Sequence, residues 1–170
     1  MTQPVETTEP LAESLPPRKR LALVASKGTL DQAYPPLILA TTAASLGWEV
    51  GIYFTFYGLD ILHKNRLEKL KMASLANPSG PIQVPNLLGA LPGATAAATK
   101  VMKKWMRDAR MPDVPDFIEM AQGLDVTFFA CATTMGVMGV AEGDLISGCE
   151  IAGAAAFLDF AAEADVQLFV

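Results

Sequence analysis

Short apolar runs alternate along the chain with longer segments whose apolar residues recur at helical spacing. Short apolar runs of this kind are typical of buried strands, and they cover residues 20–26, 49–56, 126–131, 149–152 and 166–170; the run before Cys131 is rich in β-branched and aromatic residues. The helical segments lie between them, ending near residues 46, 72, 110, 122, 140 and 163. This alternation predicts an α/β fold, a mainly parallel sheet of about five strands with helices on both faces.

The first 18 residues lack this pattern. Glu6, Glu9 and Glu13 stand there among prolines, which predicts a disordered acidic tail over residues 1–18. The chain has 170 residues, enough for one domain with a full hydrophobic core and short for two. We therefore expect a single domain over residues 19–170.

The charge balance and the cysteine count narrow the function classes. The net charge is −5 with a pI near 4.8, and no stripe of basic and aromatic residues is present, which argues against a nucleic-acid surface. Two cysteines in this length do not make a disulfide framework. Because the acidic tail has no apolar segment of the kind found in secretory signals, we expect the reducing cytoplasm.

Two uncharged stretches raise the question of membrane contact. Residues 32–48 contain Pro35 and Pro36 and lead into a strand-like run, which favours a buried helix followed by a buried strand. Residues 72–99 are interrupted by four prolines and three glycines, so a spanning helix would leave backbone groups unsatisfied. We expect a loop packed on a surface. Membrane contact through residues 72–110 is the less favoured alternative.

A cysteine stands where the third predicted strand passes into a helix. Cys131 ends the apolar run at 126–130, and Thr133 and Thr134 follow as candidate helix caps. Unpaired N–H groups and the positive end of the helix dipole stabilise a thiolate there. Strand ends of this kind also carry ligand sites in open α/β sheets. Cys131 is therefore the candidate reactive group, the alternative being a small buried hydrophobic residue.

The loop after the first predicted strand is a second candidate. Ser26, Lys27, Gly28 and Thr29 resemble an anion-binding turn at a helix N-terminus, although neither the Walker A nor the GxGxxG pattern is present. A simple capped loop explains these residues at least as well. If the loop lies on the same sheet edge as Cys131, Lys27 would help to stabilise an anionic sulfur.

Metal and hydrolase sites find little support in the sequence. The two cysteines, Cys131 and Cys149, have no metal-ligand spacing, and His63 is the single histidine, so a zinc site is not expected. A Cys-His hydrolase would need His63 beside Cys131. Because His63 lies in a charged stretch, we expect it on the surface. No cofactor-binding motif is recognised.

A basic cluster stands out in this acidic chain. The cations occupy one helical segment together with Met102, Trp105 and Met106, and they are Lys100, Lys103, Lys104, Arg107 and Arg110. At helical spacing the apolar residues form a docking face and the cations a solvated face. The alternative to a solvated face is a binding site for an acidic partner or for anionic lipid head groups.

Three segments together resemble the DsrE/DsrF-like family, in particular its stand-alone DsrE-type subgroup, sometimes labelled peroxiredoxin-like. They are residues 24–31 (VASKGTLD), 54–59 (FTFYGL) and 129–135 (FACATTM). The resemblance runs from about residue 20 to residue 170. It implies a DsrE-like α/β sandwich that forms homo-oligomers, with an insertion at about 64–115 relative to shorter classical members.

The resemblance also implies a sulfur carrier of sulfur metabolism with sulfurtransferase-like chemistry. In that family a cysteine after the third main strand holds sulfane sulfur as a persulfide and exchanges it with a TusA-like carrier protein or a rhodanese. Cys131 matches that position, with Thr133, Thr134, Lys27 and Ser26 as auxiliary groups. Cys149 has no recognised counterpart.

Two other functions stay open at this point. One is a thiol redox protein, a peroxidase or a switch, in which Cys149 resolves a sulfenate on Cys131. The other is a non-catalytic oligomeric binding module, in which Cys131 is part of the core. A sulfur carrier would load sulfur, and a thiol peroxidase would consume peroxide. A binding module would do neither.

Overall fold

The computed structural model describes residues 18–73 and 93–170. Within them, five strands form one sheet: β1 (Arg20–Ala25), β2 (Glu49–Phe54), β3 (Thr127–Cys131), β4 (Cys149–Ala152) and β5 (Val166–Phe169). Their order across the sheet is β4-β3-β2-β1-β5, and every neighbouring pair is parallel. The predicted α/β fold with a parallel sheet is confirmed.

Helices connect these strands. They are α1 (Leu30–Ser45), α2 (Ala94–Asp108), α3 (Val114–Gly123), α4 (Ala132–Met138) and α5 (Ala154–Ala162). A capping box starts α3, because the Asp113 carboxylate accepts from the Asp116 N–H at 3.1 Å and the Asp116 carboxylate accepts from the Asp113 N–H at 3.0 Å. These helices match their predicted positions closely.

The predicted helix over residues 57–72 is wrong. The chain forms two short 3-10 helical segments there, Phe56–Ile61 and Leu67–Lys69. Between these two segments, backbone groups form hydrogen bonds with a distant loop. His63 makes an antiparallel bridge with Leu145, and the Leu62 carbonyl accepts a hydrogen bond from the Ile146 N–H at 2.9 Å. Backbone groups that pair with a distant loop are withdrawn from a helical ladder, so a regular helix does not form.

The strand order decides which helix covers which face. The chain crosses the sheet in one direction from β1 to β4 and then returns to add β5 beside β1. Because such crossovers are right-handed, the connections among β1–β4 lie on one face, called face A, and the β4–β5 helix lies on the other, face B. Helices α1, α2 and α3 pack on the larger core cluster of face A, and α5 packs on the smaller cluster of face B.

The two faces differ in how completely they are covered. Face A holds the large buried side chains, including Phe54 and Phe128, whose rings meet edge to face with centroids 5.8 Å apart. Within the described residues, α5 alone covers face B, whose cluster consists of Ala22, Tyr53, Phe129, Cys131, Ala152, Phe157 and Ala161. The thinner cover leaves the carboxyl end of face B close to solvent.

At the carboxyl edge of the sheet, the loops after β1 and β2 are in direct backbone contact. A Cβ atom at Gly28 would lie 2.0 Å from the Tyr57 carbonyl oxygen, and one at Gly58 would lie 2.2 Å from the Ala25 carbonyl oxygen. Both positions therefore require glycine. The contact fixes the start of the 3-10 segment, where Phe56 adopts a left-handed φ of 46°.

Some predictions concern residues outside the described ranges. The predicted tail over residues 1–18 lies there except for Arg18, as does most of the interrupted stretch at 72–99. The domain division, including the insertion at 64–115, stays a prediction. No helix of residues 18–73 and 93–170 is long and apolar enough to cross a membrane.

Replacing Gly58 with alanine should lower the free energy of unfolding by about 2–4 kcal/mol, because the new methyl group meets a backbone carbonyl that cannot move aside. Gly123→Ala is the matched control, since a Cβ there has no neighbour within 4 Å. It should change stability by less than about 1 kcal/mol. Urea unfolding of both variants measures the difference, and equal stabilities would contradict the contact.

Candidate functional site at Cys131

Cys131 is both the last residue of β3 and the residue that caps α4. Its backbone is extended, and its Sγ accepts a hydrogen bond from the Thr134 N–H at 3.4 Å. The sulfur thus occupies the place that a Ser or Asp oxygen takes at a helix N-cap. The cap bond and the free N–H groups of the first turn favour negative charge on the sulfur.

A pair of threonine hydroxyls lies behind the sulfur. Thr55 follows β2, and its Oγ1 is 2.9 Å from the Oγ1 of Thr134 in the first turn of α4. The Thr134 oxygen also accepts from the Phe56 N–H at 3.2 Å. If Thr55 donates to Thr134, the Thr134 hydroxyl hydrogen is left for Cys131. The hydroxyl pair joins the β2 loop to the helix that holds the thiol.

Tyr53 brings a phenol to the same sulfur. It lies on β2 opposite Phe129 of β3, and its side chain belongs with Cys131 to the face B cluster. Its ring stacks on Phe157 of α5, with centroids 4.7 Å apart and planes 16° apart. Burial, together with the hydrogen bond to Cys131, raises the pKa of Tyr53 well above 10, so the phenol keeps its proton.

The pKa of the Cys131 thiol is the balance of two opposing effects. Burial raises this pKa, whereas hydrogen bonds from the Thr134 hydroxyl, the Tyr53 hydroxyl, the Thr134 N–H and the Thr55 hydroxyl lower it. The hydrogen bonds outweigh burial, and the pKa of the Cys131 thiol is lowered to about 7. A lowered pKa increases the share of thiolate at neutral pH, which suits a nucleophile.

The predicted auxiliary residues divide into two groups. Thr134 is 3% exposed and lies at the sulfur, as expected. Thr133 and Lys27 are exposed, and Ser26 and Lys27 follow β1, which lies two strands away from β3. Neighbouring strands are about 4.8 Å apart, so this loop is on the order of 10 Å from the thiol. Lys27 and Ser26 share the sheet edge with Cys131 but are not among the hydrogen-bonding partners of its sulfur within the described residues.

Sequence reasoning missed Tyr53 and Thr55. Both lie in or next to the 54–59 segment that carries part of the family resemblance, and this was the available signal. The pairing of β2 with β3, Tyr53 opposite Phe129, is what brings them to Cys131.

Cys149 is remote from the candidate site. It begins β4 opposite Phe128, whereas Cys131 pairs with Ala152, so the two cysteines are about 10 Å apart along the strands. Cys149 also packs on the face A cluster, and burial raises the pKa of its thiol to about 11. A disulfide needs Cα atoms within about 7 Å, so the expected resolving role of Cys149 does not fit this geometry within one chain.

His63 is buried rather than on the surface, which corrects the sequence-based expectation. It is 7% exposed, held by its bridge to Leu145 and by the Asn65 N–H, which donates to His63 Nδ1 at 3.2 Å. Its backbone pairing explains the burial in spite of the charged neighbours. Within residues 18–73 and 93–170, no three His, Cys, Asp or Glu side chains are placed to hold a metal ion.

The basic helix α2 lies on the other side of the sheet from the thiol. Met102 and Met106 pack on the face A cluster, and Cys131 points to face B. Two of the cations bond locally: Lys104 to the Asp108 carboxylate at 2.7 Å and Lys103 to the Glu68 carbonyl at 3.2 Å. This placement favours the solvated-face alternative for the basic cluster.

Two exposed aromatic side chains lie in the loop that carries Thr55. Phe56 is 60% exposed and Tyr57 66% exposed, and both follow β2 at the carboxyl edge. The Phe56 backbone N–H donates to Thr134 Oγ1, which ties this loop to the first turn of the helix that Cys131 caps. Large exposed apolar groups in such a loop are typical of an interaction surface.

Comparisons with known proteins identify a family and two similar proteins. A model of the DsrE/DsrF/DrsH-like family matches residues 17–169. The chain is 41% identical over 159 residues to the sulfur carrier protein DsrE2 of Allochromatium vinosum, covering 90% of this chain and 99% of that protein. It is 32% identical to the uncharacterized protein YrkE of Bacillus subtilis, covering 89% of this chain and 97% of YrkE.

A solved structure supports the fold. The ychN protein from E. coli superposes with a TM-score of 0.54 over 89% of this chain and 99% of its own, at 13% sequence identity. At that identity the likeness concerns the arrangement of strands and helices alone.

The two cysteines should differ sharply in reactivity. Iodoacetamide should alkylate Cys131 with a rate that rises through a midpoint near pH 7, because the thiolate is the nucleophile. Cys149, with a pKa of about 11, should react far more slowly below pH 9. Peptide mass spectrometry of timed samples resolves both sites. If both cysteines react at equal rates, and both rates decrease as the pH drops below a normal thiol pKa of about 8.5, the proposed stabilisation of the thiolate is refuted.

Proposed function

The chain belongs to the DsrE/DsrF/DrsH-like family, and on this basis we propose that it is a sulfur carrier with sulfurtransferase-like chemistry, holding sulfane sulfur as a persulfide on Cys131. The observation that carries the proposal is the hydrogen-bonded thiol at the β3–α4 junction, with its pKa lowered to about 7. The 41% identity to a protein named as a sulfur carrier supports the same role.

The chemistry consists of two displacements with no net oxidation. In loading, the Cys131 thiolate attacks the outer sulfur of a donor persulfide R–S–SH, forming Cys131–S–SH and releasing the donor thiolate RS⁻. In unloading, an acceptor thiolate attacks the outer sulfur of Cys131–S–SH, forms its own persulfide and releases the Cys131 thiolate. Each step forms one S–S bond and breaks one, as in thiol–disulfide exchange.

The site suits both displacements because its hydrogen-bond donors are directed at Cys131 Sγ, which is the inner sulfur of the persulfide. The Cys131 Sγ is negatively charged before loading and after unloading. Thr134 and Tyr53 stabilise that charge in each case. Cys131 is 6% exposed, so a donor or acceptor must present its sulfur closely at the carboxyl edge of the sheet.

The partners we propose are a TusA-like carrier protein and a rhodanese, working in the cytoplasm. The exposed aromatic pair Phe56 and Tyr57 follows β2 at the same edge of the sheet as Cys131, and we propose it as part of the docking surface. The basic helix α2 is remote from the thiol, so we assign it no part in sulfur transfer. A membrane contact through residues 72–110 concerns mostly residues outside the described ranges and is not proposed.

We also propose that the chain forms homo-oligomers. Family resemblance suggests this, and exposed apolar side chains lie on the sheet and on α5: Ile151, Leu158, Leu168 and Phe169. Burying such groups between copies removes apolar surface from water. The segment at 87–98, which also suggested association, lies mainly outside the described residues.

The rival functions have less support. The redox alternative loses its resolving partner, since Cys149 lies on the opposite face of the sheet. A binding module with an inert core cysteine gives no reason for a helix N–H at the sulfur or for the neighbouring hydroxyl groups that lower the pKa of Cys131. Peroxide consumption by the protein would restore the redox alternative.

Cys131→Ser should abolish persulfide formation, because serine is nearly isosteric but cannot hold a sulfane sulfur. Intact mass spectrometry after polysulfide treatment should show one added sulfur atom in the wild type and none in the variant. Cys149→Ser is the matched control and should load normally, since Cys149 is buried with a raised pKa. Loading that depends on Cys149 and survives in Cys131→Ser would mean that the wrong thiol has been assigned.

Tyr57→Glu should slow sulfur transfer from a loaded TusA-like carrier by about tenfold, the usual effect of removing an aromatic contact from an interface. Loading from small polysulfides should be unaffected, because a small donor needs no docking surface. Leu46→Glu is the control: Leu46 is 69% exposed, but it follows the far end of α1.

Light scattering on the same samples shows whether copies associate and whether either variant changes the assembly. Equal transfer rates for Tyr57→Glu, Leu46→Glu and the wild type would remove the aromatic docking surface from the proposal.

A further inference from the structure

We propose that the Tyr53 hydroxyl is a catalytic group of the sulfur transfer: it donates a hydrogen bond to Cys131 Sγ and assists this sulfur chiefly as a leaving group, when sulfur passes to the acceptor. The inference rests on the proposed function for its chemistry. The contact itself rests on the geometry of strands β2 and β3.

The register of the sheet places the tyrosine beside the cysteine. Tyr53 pairs with Phe129, and Cys131 is two residues further along β3, so all three side chains point to face B. Diagonal neighbours of this kind have Cα atoms about 7–8 Å apart, which a tyrosine side chain spans. This register directs the phenol towards the sulfur from the neighbouring strand, whereas the Thr134 N–H bonds it from the helix at 3.4 Å.

Packing holds the phenol in this position. Tyr53 is 8% exposed, and its ring lies flat on Phe157, which in turn meets Phe129 with centroids 5.8 Å apart. A ring stacked between a sheet and a helix has little freedom to turn its hydroxyl away. Because the pKa of Tyr53 is strongly raised, the hydroxyl is a proton donor throughout the accessible pH range.

The hydrogen bond acts differently on the two displacements. In loading it increases the fraction of thiolate but makes each thiolate a weaker nucleophile, and these effects partly cancel at neutral pH. In unloading it lowers the energy of the departing Cys131 thiolate with no opposing effect, because a thiol of lower pKa leaves faster. The net result favours release of sulfur from Cys131 to an acceptor.

The test is Tyr53→Phe, which keeps the stacked ring and removes the hydroxyl. We expect the midpoint of Cys131 alkylation to rise by about one pH unit, the usual strength of one hydrogen bond to a charged group. At pH 9 and above, where the thiolate dominates, loading from polysulfide should be unchanged or faster by up to roughly threefold. Unloading to a small thiol acceptor should be slower at every pH.

Tyr34→Phe is the matched control. Tyr34 is also a buried tyrosine packed against a phenylalanine ring, Phe117, but it belongs to face A and is remote from Cys131. It should leave the alkylation midpoint and both transfer rates unchanged. A purely structural role of Tyr53 would alter thermal stability without moving the midpoint, so the pH profile separates the two roles.

A second variant keeps the proposal testable if Tyr53→Phe does not fold. Site-specific 3-fluorotyrosine at position 53 retains the hydroxyl and makes it a stronger donor, so the alkylation midpoint should fall. An unchanged midpoint in both variants would overturn the inference. If the wild type never accepts sulfur on Cys131, the proposed function fails, while the alkylation midpoint still reports whether Tyr53 bonds the thiolate.

Discussion

The double role of Cys131 in the backbone is the constraint on which the site depends. One residue ends β3 and caps α4, so its sulfur is held at the first turn of a helix by the Thr134 N–H. A longer connection would let the side chain swing away from the helix N–H groups. The tight strand-to-helix turn thus helps to lower the pKa of the thiol to about 7, and among the described residues the groups that lower it are uncharged.

The surrounding loops make that turn rigid. Gly28 and Gly58 allow the β1 and β2 loops to meet backbone to backbone, and this contact sets where Thr55 and Phe56 lie. Those two residues then bond the Thr134 hydroxyl and tie the β2 loop to α4. A chain of short contacts leads from the first strand to the thiol, so the 24–31 and 54–59 segments support the candidate site although neither contains Cys131.

The two faces of the sheet are covered unevenly. Helices α1, α2, α3 and α4 pack on face A, whereas face B carries a smaller aromatic cluster under α5 in the described part of the chain. Cys131 and Tyr53 both point to face B, and Cys131 lies at its carboxyl end. A thiol on face A would be enclosed by α1 and α3 and closed to a partner.

The sequence by itself determined the strands, most of the helices and the placement of Cys131 where a strand passes into a helix, because apolar periodicity and capping residues are local signals. Only the tertiary structure decided what surrounds the thiol. Tyr53 and Thr55 reach Cys131 through the pairing of β2 with β3, while Lys27 stays two strands away and Cys149 faces the opposite side.

The misassigned helix at 57–72 and the burial of His63 have the same origin. Their backbone groups pair with residues 144–146, which lie about 80 positions later in the chain, a separation that local sequence patterns do not report. Strand order, register and long-range backbone pairing depend on the whole chain, and in this protein they decide which side chains act on the sulfur.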